Sequence, residues 1–109
     1  MQIAAAAQNK IFQVLADPSR RAIFESLASG EAAVKDLTAR FDISQPAVSQ
    51  HLAALKDAGL VLGRREGRLV YYRVEPDGMK PLIDWIAHYR AFWPERFTRL
   101  ERLLENMDK

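Results

Sequence analysis

Hydrophobic positions in the first half of the chain recur every three or four residues, which is the spacing of one face of an α-helix. The pattern predicts four helices, at residues 8–16, at 18–30 with Asp17 as N-cap, at 34–41, and at 45–58 with Ser44 as N-cap and Gly59 at the end. In the fourth helix Val48, Leu52 and Leu55 fall on one side and are expected to face the core.

After Gly59 the helical spacing gives way to two runs rich in β-forming residues. Residues 61–65 and 68–74 are predicted to pair as a hairpin, joined at Glu66 and Gly67. Alternation along the second run places its side chains on two faces, Val70, Tyr72 and Val74 on one and Leu69, Tyr71 and Arg73 on the other.

The last third of the chain carries apolar residues at steps of three and four, close to the seam of a coiled coil. These residues are Leu82, Ile86, Tyr89, Trp93, Phe97, Leu100, Leu104 and Met107. The spacing shifts beside Pro94, where a kink or a break of the helix is expected. The aromatic residues of this stretch are too apolar for a small monomer to leave in water, which predicts a symmetric interface between two copies.

Two short helices, a further helix, a hairpin and a flanking helix together predict a winged helix-turn-helix. The expected fold is mostly α with a small β-hairpin wing, and helices at both ends form a dimer interface. No internal repeat or low-complexity linker divides the 109 residues. We therefore predict one domain over 1–109, with a core at about 9–75 and a C-terminal dimerisation helix at about 79–107.

The outer face of the fourth helix is polar and small rather than charged and bulky. It carries Gln45, Ser49, Gln50, Ala53 and Lys56. Short outward side chains let a helix backbone enter the DNA major groove, where Gln and Ser can bond to base edges. The alternative is a polar surface helix without a ligand, and the neighbouring short helix and basic hairpin favour the DNA interpretation.

Positive charge is concentrated in the middle of the chain. The net charge is +2, but residues 43–74 hold five basic and two acidic side chains. Arg64, Arg65 and Arg68 flank the tip of the hairpin, where arginines can reach phosphates or a narrow minor groove. The alternative is a charged edge that keeps an exposed hairpin in solution.

Composition excludes several classes of function. With no cysteine there are no disulfides, thiolate metal sites or cysteine nucleophiles. The N-terminus does not resemble a signal peptide, and no apolar run approaches a membrane span. No paired carboxylates, nucleophile–base set or phosphate-binding glycine loop indicates an enzyme.

Three segments closely resemble the ArsR family of bacterial winged-helix repressors: "LADPSRRAIF", "ISQPAVSQHLAALKDAGLV" and "RREGRLVYYRV". The resemblance covers roughly residues 9–93. It implies a homodimer that represses an operator in double-stranded DNA near its own gene, in the cytoplasm of a bacterium and associated with the nucleoid. Carried over by position, the residues of the DNA-facing stretch are Ser44, Gln45, Pro46, Ser49, Gln50 and His51, and those of the wing are Arg65 and Arg68.

Members of this family are usually joined through their first and last helices. Together with the apolar seam, this predicts a dimer interface formed by Ile11, Phe12, Leu82, Trp85, Ile86, Tyr89, Trp93, Phe97 and Leu100. Whether a small-molecule inducer binds this protein is left open by the sequence.

The chain departs from the metal-sensing members of the family. These carry two cysteines in the segment that reads "EAAVKDL" here, where Ala33 and Lys35 stand instead. The last helix offers only His88 with Asp84 one turn earlier, which is a weak basis for a metal site. We expect no metal and no cofactor. The alternatives are a metal- or ligand-responsive regulator of the same family and a winged-helix module that binds proteins.

Two basic features keep more than one interpretation. Arg20 and Arg21 lie in the first turn of the second helix, where the helix dipole disfavours cations, so either a carboxylate partner or a phosphate contact is expected. His51 either contacts DNA when protonated or forms a local hydrogen bond.

Overall fold

The computed structural model describes residues 2–92 and 94–107. In chain order the elements are α1 (Gln2–Leu15), α2 (Pro18–Ala28), β1 (Ala32–Ala33), α3 (Val34–Phe41), α4 (Gln45–Asp57), β2 (Val61–Glu66), β3 (Leu69–Val74), α5 (Lys80–Phe92) and α6 (Pro94–Met107). The mostly helical fold with a small antiparallel wing is the winged helix-turn-helix that the sequence predicts. Two helix bounds differ from the prediction, because α1 begins at Gln2 rather than at residue 8 and α2 ends at Ala28 rather than at residue 30.

Local caps explain where α2 and α4 begin and end. Asp17 accepts hydrogen bonds from the backbone N–H groups of Ser19 and Arg20 at 2.8 and 3.2 Å, and Pro18 follows as the first helical residue. At the end of α4, Gly59 adopts a φ of 79° that disfavours other residues. These caps confirm the predicted starts of α2 and α4 and the stop at Gly59.

The core joins the four helices α1 to α4 to the base of the sheet. Its fully buried side chains are Ile11, Ile23, Leu37, Val48, Leu52, Leu55, Leu60 and Val61. The predicted inner positions of α4, at Val48, Leu52 and Leu55, are all 0% exposed. Burial of these side chains fixes the rotation of α4 about its axis and therefore decides which residues face solvent.

The wing is a three-stranded antiparallel sheet with the order β1-β3-β2. Strand β1 was not predicted; its two alanines pair with Tyr72 and Tyr71 of β3. The tip of the hairpin also differs, because Glu66 pairs with Leu69 and the loop is Gly67–Arg68 rather than Glu66–Gly67. Gly67 has a φ of 62°, which a glycine adopts without strain at the first position of a tight hairpin loop.

A close backbone contact fixes the chain where it leaves the wing. A Cβ atom added to Gly78 would collide with the carbonyl oxygen of Gly59 and lie 3.0 Å from the Cα of Leu60. Only glycine therefore allows the segment after β3 to pack against the end of α4. The start of α5 is thereby held close to the helix-turn-helix.

The C-terminal stretch is two helices rather than one. α5 ends at Phe92 and α6 begins at Pro94, which agrees with the break expected there, since proline suits a first helical position. The Cα radius of gyration is 17.1 Å, against about 13 Å for a compact chain of this length. None of the described helices is long and apolar enough to cross a membrane.

Candidate nucleic-acid interface

Helix α4 is held as a rigid support for its outward side chains. The Ser44 hydroxyl oxygen accepts a hydrogen bond from the backbone N–H of Ala47 at 3.2 Å. At the other end, the N–H groups of Gly59 and Leu60 donate to the carbonyl oxygens of Lys56 and Leu55. This is the Schellman arrangement, which satisfies the last carbonyl groups of a helix.

The predicted DNA-facing residues of α4 divide between its outer surface and its two flanks. Ser44, Pro46 and Gln50 are exposed. Gln45 and Ser49 are also exposed, and they lie on the flank that faces the wing. His51 is half-buried on the opposite flank, towards α2. The structure thus brings Gln45 and Ser49 close to the wing and sets His51 apart from them.

A groove runs between α3, the wing-facing flank of α4 and strand β3. Its volume is about 240 Å³. The polar lining residues are Lys35, Gln45, Ser49 and Arg68, and the apolar ones are Val34, Leu69, Val70 and Tyr72. A recognition-helix surface and a wing arginine therefore share one open cleft, although they are far apart in the sequence.

Two of the three wing arginines lie towards the groove, and the third lies on the opposite face of the sheet. Arg65 pairs with Val70, so its side chain lies on the face of the sheet that lines the groove. Arg68 is exposed in the hairpin loop and lines the groove as well. Arg64 pairs with Tyr71 and lies on the opposite face of the sheet.

The guanidinium of Arg64 is occupied by protein groups. It donates to both carboxylate oxygens of Glu31, at 3.1 and 2.6 Å, and to Glu66 at 2.7 Å, and it lies 4.8 Å from the centre of the Tyr71 ring. The hydrogen bond from Arg64 lowers the pKa of Glu31, and the two carboxylates raise the pKa of Arg64. Arg64 thus braces the wing against the segment before β1, while the DNA contact expected of it from the sequence stays a prediction.

The flank of α4 next to α2 is a partly buried polar junction. Hydrogen bonding from the backbone N–H of Arg20 is the main cause that lowers the pKa of Asp17, and the charges of His51 and Arg20 act in the same direction. The charge of Arg20 therefore acts on Asp17, but no ion pair joins the two side chains in the described part of the chain, and the Nε of Arg20 has no hydrogen-bond partner there. Both interpretations of Arg20 stay open. The Nδ1 of His51 is enclosed and accepts or donates no hydrogen bond within the described part of the chain.

Apolar side chains are exposed on α1, α5 and α6. The rings of Phe12 and Trp85 meet at nearly a right angle with their centres 5.3 Å apart, and the centre of the Trp85 ring lies 4.7 Å from that of Tyr89. The large exposed apolar side chains of the three helices are Phe12, Ile83, Trp85, Ile86, Leu100, Leu103, Leu104 and Met107.

Five of the nine predicted interface residues belong to these exposed or half-buried positions, namely Phe12, Trp85, Ile86, Tyr89 and Leu100, and the other four differ. Ile11 was predicted wrongly, because it is only 1% exposed and packs into the core of its own chain, which leaves no surface for a partner. Leu82 also packs partly against that core. Trp93 and the side chain of Phe97 lie outside the described residues.

The positions at which metal-sensing relatives carry cysteines have other structural roles here. Ala33 is buried in β1, and Lys35 is exposed in the first turn of α3. Among the described residues, no three His, Asp or Glu side chains are grouped so that they could hold a metal ion.

Sequence reasoning missed two residues of this interface, Glu31 and Lys35. Glu31 meets Arg64 from 33 positions away, and no local pattern indicates that pairing. Lys35 could have been noticed as an isolated cation at the start of a short helix, but its place in the groove depends on the pairing of β1 with β3.

Comparison with known proteins identifies the family. The pattern of the "Bacterial regulatory protein, arsR family" matches residues 17–62. The transcriptional repressor SdpR of Bacillus subtilis is 32% identical over 81 residues, which are 74% of this chain and 90% of SdpR. The HTH-type transcriptional regulator Rv2034 of Mycobacterium tuberculosis is 39% identical over 98 residues, 90% of this chain and 89% of the relative.

A crystal structure of an ArsR family transcriptional regulator superposes with a TM-score of 0.76 at 32% sequence identity. The match covers 84% of this chain and 94% of the other. The residues matched by the family pattern, 17–62, run from the N-cap of α2 to the second residue of β2 and so contain the whole helix-turn-helix. The chain therefore belongs to the ArsR family of bacterial DNA-binding transcriptional regulators, which are not enzymes.

Proposed function

We propose that this protein is a homodimeric repressor that binds an inverted-repeat operator, including one near its own gene, and needs no metal to do so. The observation that carries the proposal is the shared groove in which Gln45 and Ser49 of α4 lie beside Arg68 of the wing. Hydrogen-bonding side chains that reach base edges and cations that reach phosphates are the two components of specific DNA recognition.

The residues divide into two roles. Gln45, Ser49 and Gln50 would contact base edges in the major groove, with Ser44 and Pro46 shaping the exposed start of α4. Arg65 and Arg68 would contact phosphates from the wing. Arg64 holds the wing in position through Glu31. His51 remains a predicted contact near the DNA backbone, reached from the flank next to α2.

The dimer is supported by the apolar surface of α1, α5 and α6. Side chains such as Trp85, Ile86 and Leu100 are 37–51% exposed in the single chain. An isologous contact between two copies would cover this surface. Two-fold symmetry places the two α4 helices about 34 Å apart, one turn of DNA, so the operator is expected to be an inverted repeat.

Binding without metal is supported by the side chains at the positions where metal-sensing members carry cysteines. The Ala33 side chain has no donor atom, and the positively charged ammonium group of Lys35 repels a metal ion. A DNA-binding regulator acts where the chromosome lies, so we propose a cytoplasmic, nucleoid-associated location.

The test is binding to the DNA upstream of the protein's own gene, measured by fluorescence anisotropy with EDTA present and random DNA as competitor. Gln50→Ala is expected to weaken binding to this DNA by about 1–3 kcal/mol and to leave binding to random DNA unchanged. Gln13→Ala, an exposed glutamine of α1, is the matched control.

Equal affinity of the wild type for upstream and random DNA would contradict a specific operator at this place. Binding that appears only when a metal ion replaces EDTA would favour a metal-dependent regulator. A protein that shows no salt-dependent affinity for any DNA would instead be a winged-helix module for protein contacts.

A further inference from the structure

We propose that Lys35 and Arg68 clamp one phosphate of the DNA backbone between them, from opposite walls of the groove between α3 and the wing. This inference rests on the proposed DNA-binding function and adds a contact outside α4 and the wing. The ligand is a phosphate within double-stranded DNA, held at the edge of the major groove that α4 enters.

The groove carries an uncompensated positive charge. Its lining contains two cations, Lys35 and Arg68, and no carboxylate. Neither cation takes part in an ion pair within residues 2–92 and 94–107, whereas Lys10 is paired with Asp57 and Arg64 with Glu31. Two uncompensated cations facing one open cleft create a positive potential that attracts a polyanion.

The nearby carboxylates are directed elsewhere. Asp36 follows Lys35 in α3, but its side chain accepts a hydrogen bond from the backbone N–H of Ala33 at 3.4 Å. Glu66 stands next to the hairpin loop, and it is bound to Arg64 on the other face of the sheet. The charge of the groove is therefore not cancelled by its own elements.

The two walls of the groove, the start of α3 and the wing, are fixed relative to each other. Lys35 comes two residues after Ala33, whose strand pairs with Tyr71 and Tyr72 of β3. The ion pair of Glu31 with Arg64 joins the same two segments on the far side of the sheet. Because the start of α3 and the wing are tied together, little conformational freedom is lost when both cations meet one ligand.

The groove lies next to the surface of α4 that is proposed to read bases. Gln45 and Ser49 line the same cleft as the two cations. In helix-turn-helix proteins the recognition helix lies in the major groove and the preceding helix crosses the backbone. A cation on the preceding helix α3, beside the start of α4, is therefore placed to meet the strand that borders the groove. Such a contact sets the register of α4 on the duplex without reading sequence.

The experiment compares Lys35→Ala, Lys35→Arg, Arg68→Ala and the double variant Lys35→Ala/Arg68→Ala in binding to upstream and to random DNA over a range of salt concentrations. Lys80→Ala is the matched control, since Lys80 is an exposed lysine at the start of α5 and lies outside the groove. Circular dichroism and thermal unfolding establish that every variant is folded.

Lys35→Ala is expected to weaken binding to both DNAs by the same factor, about threefold to tenfold, and to reduce the salt slope by about 1. Lys35→Arg is expected to retain binding. If both side chains hold one phosphate, the affinity of the double variant for DNA falls by less than the product of the fold-losses of the two single variants. That coupling would not arise from two independent surface charges.

Several results would overturn the proposal. If the wild type binds with a steep salt slope but Lys35→Ala behaves like Lys80→Ala, the clamp is wrong and the DNA-binding function stands. Displacement of DNA by inorganic phosphate at constant ionic strength, lost in Lys35→Ala, would mean a site for the free anion instead. If the wild type binds only without specificity, the operator proposal fails while the clamp is still scored on random DNA; no binding to any DNA overturns both.

Discussion

Two regions of the molecule differ in where their hydrophobic residues lie. One is the winged helix-turn-helix, and the other is formed by the C-terminal helices α5 and α6. In the first region Ile23, Leu37 and Leu52 are fully buried. The hydrogen bonds of the helix caps and of the paired strands are also made within this region. In the second region Ile86, Leu104 and Met107 remain 48–73% exposed. The first region buries its apolar residues within one chain, whereas the second leaves apolar residues exposed, which is the surface that we propose a partner copy covers. The proposed DNA reading and the proposed dimerisation therefore rest on different parts of the chain.

The largest expected effect is on the stability of the first region. Leu52→Ala removes a side chain that is 0% exposed in α4 and leaves a cavity. We expect the free energy of unfolding to fall by about 2–5 kcal/mol, independently of protein concentration, in urea titrations followed by circular dichroism. A loss of less than about 1 kcal/mol would mean that the core is loosely packed and that the contrast between the regions is overstated.

Next in size is an effect on self-association. Leu104→Glu places a carboxylate on the exposed apolar face of α6, and two-fold symmetry introduces it twice. Sedimentation equilibrium is expected to show self-association weakened by at least about a hundredfold, with the circular dichroism of the monomer unchanged. Asn106→Glu adds the same charge elsewhere on α6 and is the control. If both variants dissociate alike, charge rather than the apolar face is responsible.

A smaller effect is expected where the two regions meet. Gly78→Ala forces a Cβ against the Gly59 carbonyl and the Leu60 backbone at the end of α4. We expect a loss of about 1–3 kcal/mol in unfolding free energy from overpacking, measured by thermal melts, and altered amide chemical shifts at the end of α4. Gly67→Ala is a poor comparison because of its positive φ, so Lys80→Ala, an exposed position two residues further along, serves as control. An unchanged melting temperature would show that this junction is looser than the close approach implies.

The smallest effect concerns the brace of the wing. Glu31→Gln removes the carboxylate that pairs with Arg64, an exposed ion pair whose contribution to stability is small. Because Arg64 lowers the pKa of Glu31, the contribution is present above the ordinary value of about 4.5 and is lost as pH falls through the folded value.

Hydrogen exchange of the wing amides is therefore expected to be faster in Glu31→Gln than in the wild type at neutral pH, and the difference is expected to vanish in acid. Glu25→Gln, an exposed carboxylate of α2, is the control. Equal exchange at neutral pH would contradict a bracing role for this pair.

The features that the sequence predicted correctly are those that depend on interactions within a few residues. The start of α2 and both ends of α4 follow from Asp17, Ser44 and Gly59, each of which acts within a few residues. Strand β1 could not be predicted from two alanines, because it exists only through pairing with β3. Ile11 and Phe12 are neighbours in the sequence, yet one is buried and the other exposed, since the packing of α1 against the core decides which of its faces is covered.

The candidate DNA interface was predictable to a similar extent. The exposed residues of α4 follow from the helical position of Val48, Leu52 and Leu55. The different directions of Arg64 and Arg65 depend on the register of β2 against β3. This register is predicted wrongly when the hairpin loop is placed one residue too early. The place of Lys35 in the groove depends on the same sheet.

The central claim is that one dimer, joined through its C-terminal helices, places two copies of α4 on one DNA site. Sedimentation velocity with a fluorescent duplex from upstream of the gene tests it most directly, with wild type and Leu104→Glu compared at equal concentration. The account predicts two protein chains on each duplex for the wild type, and for the variant a loss of specific binding with weak binding to all DNA retained. A stable complex of one chain per duplex, or full specific binding by the dissociated variant, would contradict it.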